Sequence, residues 1–167
     1  ARVFGIYDIL KPETARGIYD RCNEMLGTEE FRAQAMMRKF NVETICTTDD
    51  PTDSLEWHKQ IADHPFGVQV LPTWRPDKVM GVDVPESFAT YIGKLSEVSG
   101  VGITGYQDLL DALRKRHDFF ARMGCRLSDH GLDTFYSNDC PREEADRIFR
   151  KVLGGQVPDA SEVSKFK

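Results

Sequence analysis

The sequence predicts an α/β fold built on a parallel sheet, of the kind found in part of a (β/α) barrel. Three observations predict it. Short runs rich in apolar and β-branched residues at 42–48 and 68–71, and a short strand-like segment opening at Cys125, alternate with stretches whose apolar residues recur at helical spacing. Polar residues follow each short run directly, and ligands bind at the C-terminal edge of parallel sheets. The strands are too few to close a barrel, so the chain reads as a piece of one.

The elements follow in order. Pro12 to Leu26 is expected to be a helix, with Pro12 in the first turn, Glu13 at the positive end of the dipole and a stripe of Ile18, Cys22, Met25 and Leu26. Gly27 ends it, and Thr28 opens a second helix to about Lys39 carrying Phe31, Ala35 and Met36. Val42 to Thr48 is a strand ended by Asp49-Asp50-Pro51. Ser54 is placed to cap a helix through about His64. Val68 to Leu71 is the next strand, closed by Pro72, and Trp74 to Lys78 is a loop. Pro85 to about Val98 is a helix with Phe88, Tyr91, Ile92 and Leu95 on one side. Gly100, Gly102 and Gly105 separate it from a long helix, Tyr106 to Met123, whose core side is Leu109, Leu110, Leu113, Phe119 and Phe120. Cys125 to Gly131 reads as a short strand running into a loop. Helices from Pro141 to about Leu153 and from an Asp159 cap complete the chain. The expected organisation is a single partial domain over 1–167: a helical segment at 1–40, barrel strands with connecting helices at 41–135, and a truncated helical segment at 136–167.

The 167 residues suffice to bury a core, and the composition, 40% hydrophobic and 29% charged, is that of a folded chain. A net charge of −5 argues against nonspecific nucleic-acid binding, which needs a positive surface. The basic run Arg114-Lys115-Arg116 spreads around a helix and reads as a solvated face. No apolar run approaches the ~20 residues that span a bilayer. The four cysteines form no Cys-x-x-Cys pair and match no zinc spacing, so reduced thiols in a cytoplasmic protein are expected.

Chemistry is expected at three strand ends: Cys46-Thr47-Thr48-Asp49-Asp50-Pro51, Leu71-Pro72-Thr73-Trp74-Arg75-Pro76-Asp77-Lys78 and Ser128-Asp129-His130-Gly131. Arg75 offers a planar fork that matches a carboxylate through two bonds, unless it pairs with Asp77 or another neighbouring acid. Trp74 beside it is suited to wall a site or stack on a sugar ring. Asp129 with His130 fits acid–base work, metal ligation or a loop cap. Thr47, Thr48, Asp49 and Asp50 fit hydroxyl or metal binding, and equally the chemistry of turns. His58, near Trp57 and Ile61, reads as a packing or surface residue, His64 and His117 as surface, and Trp57 and Tyr106 as core aromatics. No His-x-His pair, phosphate loop or nucleophile motif occurs.

These three segments, with Asn23-Glu24-Met25-Leu26, Asn41-Val42, Leu55 and His58, resemble the uronate isomerase (glucuronate isomerase) family in order and in spacing. The resemblance runs through almost all of the chain and is weakest after Phe135. It implies a distorted (β/α)8 TIM-type barrel of the amidohydrolase kind with additional helices, in enzymes roughly three times this length. It implies aldose–ketose isomerisation of D-glucuronate to D-fructuronate and of D-galacturonate to D-tagaturonate, by proton transfer through an enediol-like intermediate. A divalent metal, often zinc, assists in the family. Its ligands, a His-x-His pair, a further His and an Asp, belong to segments not in this sequence. The chain is therefore expected to be an internal piece, inactive alone and supplying no metal ligand. Carried over by motif, Arg75 is implied to hold the substrate's carboxylate or hydroxyls and Asp129 to be the catalytic-site acid. Trp74, Thr48, Asp49 and His130 are implied as substrate contacts or as supports of the loops around Arg75. The expected partner is a small uronate, without nucleic acid or membrane, and a homo-oligomer is compatible with the sequence. Two readings stay open beside it: a metal-dependent hydrolase of a sugar-acid lactone or amide, and a non-catalytic helical interaction domain.

Overall fold

The computed structural model describes residues 2–167. Ala1, with which the expected 1–167 and 1–40 divisions begin, lies outside the described residues. The chain resolves into two compact units, one running to Ile45 and including His64–Gln69, the other made of Cys46–Asp63 and Val70–Lys167.

In the first unit, helix α1 (Pro12–Leu26) has the bounds the sequence predicts, with Pro12 at its first position. Its stripe is only partly covered: Ile18, Cys22 and Met25 are half-buried and Leu26 is exposed. The second expected helix is broken. A 3₁₀ turn (Glu29–Phe31) precedes α2 (Ala33–Lys39), and between them Arg32 is extended. Phe31 is buried there, stacked on Phe4 with ring centroids 5.3 Å apart, and Lys39 Nζ lies 4.8 Å from its centroid.

Strand β1 (Thr44–Cys46) pairs with β2 (Gln69–Leu71). Gln69 N donates to Glu43 O, Thr47 N to Leu71 O and Asp49 N to Thr73 O, so both strands climb together and the pairing is parallel. The third expected strand is reduced to an extended run at 127–129. Trp74 N donates to Leu127 O and Asp129 N to Trp74 O, a single parallel bridge between Trp74 and Ser128. Beyond it Asp77 captures the Gly131 N–H at 2.6 Å, and the chain leaves the ladder.

The second unit is mostly helical. After α3 (Glu56–Asp63) and a 3₁₀ turn (Asp77–Met80) come α4 (Pro85–Ser99), α5 (Tyr106–Arg122), α6 (Arg142–Leu153) and α7 (Ala160–Phe166). Residues spaced three or four apart on α4–α6 interdigitate: Phe88, Ile92 and Leu95, Leu109 and Ala112, then Ile148, Phe149 and Val152, all within 2% of full burial. Gly100 ends α4 in the left-handed conformation (φ 63°). Gly105 opens α5 where a Cβ would lie 2.6 Å from Arg150 Nη2 and 2.8 Å from Asp146 Oδ1. That contact leaves no room for a side chain and lets Asp146 accept the Tyr106 N–H at 2.8 Å. A second core, of Leu55, Trp74, Phe120 and Cys125, lies under the strand ends.

Two expectations about burial are corrected. Arg116 is 8% exposed, with its guanidinium 4.2 Å over the Phe119 ring, because it lies one helical turn from both Ala112 and Phe120 on the buried face of α5. Trp57 is 66% exposed rather than core, because α3 turns its neighbours Leu55, His58 and Ile61 inward instead.

At α7 the expected Asp159 cap forms, accepting the Glu162 N–H at 2.9 Å. Glu162 in return accepts from Asp159 N (3.0 Å), Lys151 Nζ (2.6 Å) and Arg147 Nη1 (2.8 Å). Led by the Lys151 contact, these partners pull its carboxyl down to about 2. A depressed carboxylate stabilises the fold above its unfolded pKa, and that contribution is lost as pH falls toward 2. Glu162→Gln is expected to lower the Tm by several degrees at pH 7 and by much less at pH 3, read in thermal melts at both pH values.

Candidate active site

The three strand ends come together in the second unit. Arg75 belongs to the middle segment: its N–H donates to Asp49 O at 3.0 Å, while that of Trp74 turns the other way to Leu127 O. Alternation along the extended segment then sends the two side chains to opposite sides. Trp74 goes into the core, 9% exposed, edge-on to Phe120 at 5.0 Å and to His117 at 5.4 Å. Arg75 goes to the polar side.

There Arg75 meets Asp129 rather than its near neighbour Asp77. Nε donates to Asp129 Oδ1 at 3.0 Å and Nη2 donates to Oδ2. This bidentate bond raises the Arg75 pKa and holds the Asp129 carboxyl below the usual carboxylate range. The pair thus favours the carboxylate form of Asp129. Thr48 Oγ1 reaches its Oδ2 at 3.5 Å. Asp77, two residues beyond Arg75, instead accepts from His130 Nδ1 (2.7 Å) and Gly131 N, tying the last strand end to the middle one.

Asp49 is buried behind this pair. Its Oδ2 accepts from Thr47 Oγ1 at 2.6 Å and from Thr73 N at 3.2 Å. Asp50 caps the following turn through Thr52 N (2.9 Å) and Thr52 Oγ1 (2.8 Å). Asp50 Oδ1 also accepts from Tyr91 OH at 3.2 Å, and Lys78 Nζ lies 3.4 Å from Oδ2. Burial and the Asp50 charge raise the Tyr91 pKa far above that of a free phenol, so Tyr91 remains a donor. Arg116 completes the turn from α5, donating Nε to Pro51 O and Nη2 to Asp53 O, both at 2.7 Å.

These residues line a cleft of about 290 Å³ bounded by Thr48, Asp49, Asp50, Asp53, Arg75, Asp77 and Lys78. Its lining carries four carboxylates and two cations, Arg75 and Lys78, which pair with Asp129 and Asp50. Among the described residues no three His, Cys, Asp or Glu side chains gather as a metal ion would need. The nearest acids are already engaged: Asp129 by Arg75, Asp49 by Thr47 and Thr73, Asp77 by His130 and Gly131.

Compared with known proteins, the sequence profile described as glucuronate isomerase matches residues 1–167. The chain belongs to the glucuronate isomerase family. It is 55% identical over 164 residues to the uronate isomerase of Bacteroides fragilis, covering 98% of this chain and 35% of that protein. It is 43% identical to the uronate isomerase of Caldanaerobacter subterraneus subsp. tengcongensis over 99% of this chain and 36% of that one. Among solved structures, uronate isomerase from Thermotoga maritima superposes with a TM-score of 0.86 at 34% identity, covering 99% of this chain and 36% of that chain. Glucuronate isomerase from Caulobacter crescentus gives 0.85 at 31% identity, over 99% of this chain and 34% of that one. The chain thus spans about a third of the length of the glucuronate isomerase family members it matches.

Of the residues expected at the site, Arg75, Asp129, Thr48 and Asp49 gather around the cleft, His130 lies at its edge on Asp77, and Trp74 supports it from below. Sequence reasoning passed over His58, Asp77, Tyr91 and Arg116. Asp77 shares the Trp-Arg-Pro-Asp motif with Arg75 and was legible as a loop-holding acid. Tyr91 and Arg116 act from helices far along the chain, where no spacing rule reaches.

Proposed function

We propose that the protein containing this chain is a uronate isomerase. It interconverts D-glucuronate with D-fructuronate and D-galacturonate with D-tagaturonate, and this third of it is inactive alone. The observation that carries the reading is the Arg75–Asp129 pair. Asp129 occupies the Nε/Nη2 edge of the guanidinium, and among the described residues Nη1 makes no hydrogen bond, which supports its use for a substrate carboxylate. In this role Asp129 aims Arg75 and stays ionised, and its expected part in catalysis is electrostatic. Thr48 and Asp49 take substrate hydroxyls, and His130 holds the loop over them through Asp77. Trp74 acts beneath the site by fixing the strand that carries Arg75.

The three parallel segments, in the order 44–49, 69–75 and 127–129, are read as an arc of a distorted (β/α)8 barrel with the site at its C-terminal edge, supported by the family's membership. Segments 1–40, 41–135 and 136–167 are carried forward as its helical, strand-bearing and helical parts. A divalent metal is expected to belong to the full-length enzyme; among the described residues no three His, Cys, Asp or Glu side chains gather to hold one. The free thiols Cys22, Cys46, Cys125 and Cys140 support a reducing, cytoplasmic setting, and a homo-oligomer is compatible with the whole protein.

The test is turnover of D-glucuronate and D-galacturonate by the full-length protein, with and without added divalent metal. A ketose of unchanged mass is expected. A product heavier by one water would replace the isomerase with a hydrolase, and no product from folded, metal-loaded protein would remove both.

A further inference from the structure

Behind the cleft lies a histidine that the proposed chemistry does not use. The His58 side chain is 10% exposed on α3. Its Nε2 is 2.7 Å from Thr47 Oγ1 and 3.8 Å from Asp49 Oδ2, while its Nδ1 is buried with no hydrogen-bond partner among the described residues. The positions of the protons follow from satisfiability. The Asp49 carboxylate only accepts, so the single Thr47 hydroxyl proton goes to Asp49 Oδ2, 2.6 Å away, ahead of the Leu71 carbonyl at 3.3 Å. Thr47 Oγ1 is then the acceptor toward His58, and the hydrogen must sit on Nε2.

The chain is bent to make this contact. Leu55, just before α3, is buried with φ +56°, a strained conformation for a branched residue. Arg116 holds the turn ahead of it through two carbonyls. The strain aims α3 so that an otherwise ordinary helix surface position reaches Thr47.

We propose that His58 is a positioning residue: its Nε2–H, relayed through the Thr47 hydroxyl, fixes the Asp49 carboxylate at the end of β1 to receive a substrate hydroxyl. This rests on the isomerase reading for its effect on turnover, and on the hydrogen-bond geometry alone for the proton's place.

The test uses the full-length enzyme with ¹⁵N-labelled histidine, the His58 signals being assigned by their loss in His58→Gln. A proton on Nε2 is expected. A ring whose proton sits on Nδ1 in place of Nε2 overturns the relay. With D-glucuronate, His58→Leu is expected to raise KM about tenfold, the scale of one ordinary hydrogen bond, with kcat little changed. His58→Gln, whose amide N–H replaces Nε2–H, is expected to recover most of that loss. A Gln variant as impaired as Leu, or a folded Leu variant with unchanged KM, overturns the proposal. Should the Leu variant not fold, the Gln variant and the tautomer decide. Absence of turnover by the unmodified enzyme sinks the isomerase reading alone, and the proton position then still supports or overturns the relay.

Discussion

Arg75→Met in the full-length protein is expected to lower kcat/KM for D-glucuronate by roughly tenfold or more, as loss of a charge-assisted bidentate contact does, with thermal unfolding unchanged. Both effects follow from one geometry. The Arg75 and Asp129 side chains are 37% and 39% exposed, and an ion pair that wet contributes little to folding. The same pair lies at the convergence of three strand ends, where Asp129 anchors one edge of the guanidinium, as the proposed contact with a second carboxylate needs. Lysine is no substitute: it keeps the charge but cannot hold Asp129 on one edge and a substrate on the other. Arg75→Lys should therefore stay close to Met. The companion measurement is discrimination between the uronate and the neutral sugar that carries a hydroxymethyl group in place of the carboxylate. The native enzyme should prefer the uronate, and the Met variant should lose that preference. A Met variant with native efficiency removes Arg75 from substrate recognition.

The strand ends were legible because their information is local. A β-branched run followed by Thr-Thr-Asp-Asp-Pro or Trp-Arg-Pro-Asp states both the element and its polar edge within a few residues. The helices α1, α4, α5 and α6 were legible for the same reason, through apolar spacing and caps, to within a residue of their observed ends. What escaped depends on contacts across long stretches of sequence. Arg75 has an acid two residues away and yet pairs with one 54 residues on, because the parallel register puts Asp129 beside it while Asp77 turns to Gly131. Trp74 and Arg75 are adjacent in the motif and part company in space, because an extended backbone sends neighbours to opposite faces. The third strand was overestimated because a run of suitable residues forms a ladder only as far as its partner continues, and the ladder ends at one bridge.

Arg116 shows the same limit and carries the second large effect. Replacing it with methionine is expected to destabilise the protein by about 2–4 kcal/mol, since two carbonyls lose a charged donor in a buried site while the hydrocarbon packing is largely kept. Pro51 O and Asp53 O are both 2.7 Å from the guanidinium, on either side of a turn that carries Asp50 and leads into the strained Leu55. The loss should be concentrated there. Amide exchange is expected to accelerate first across residues 50–58, ahead of the α4–α6 core, because local opening follows the hydrogen bonds that are removed. Arg114→Met is the matched control, as Arg114 is exposed and pairs, among the described residues, with Asp111 one turn earlier; its cost should stay within about 0.5 kcal/mol. Equal destabilisation by the two substitutions in denaturant titrations would show that the basic run is solvated after all. A large difference would place the support of the Thr48–Asp49 side of the cleft on a helix that the sequence presents as plain surface.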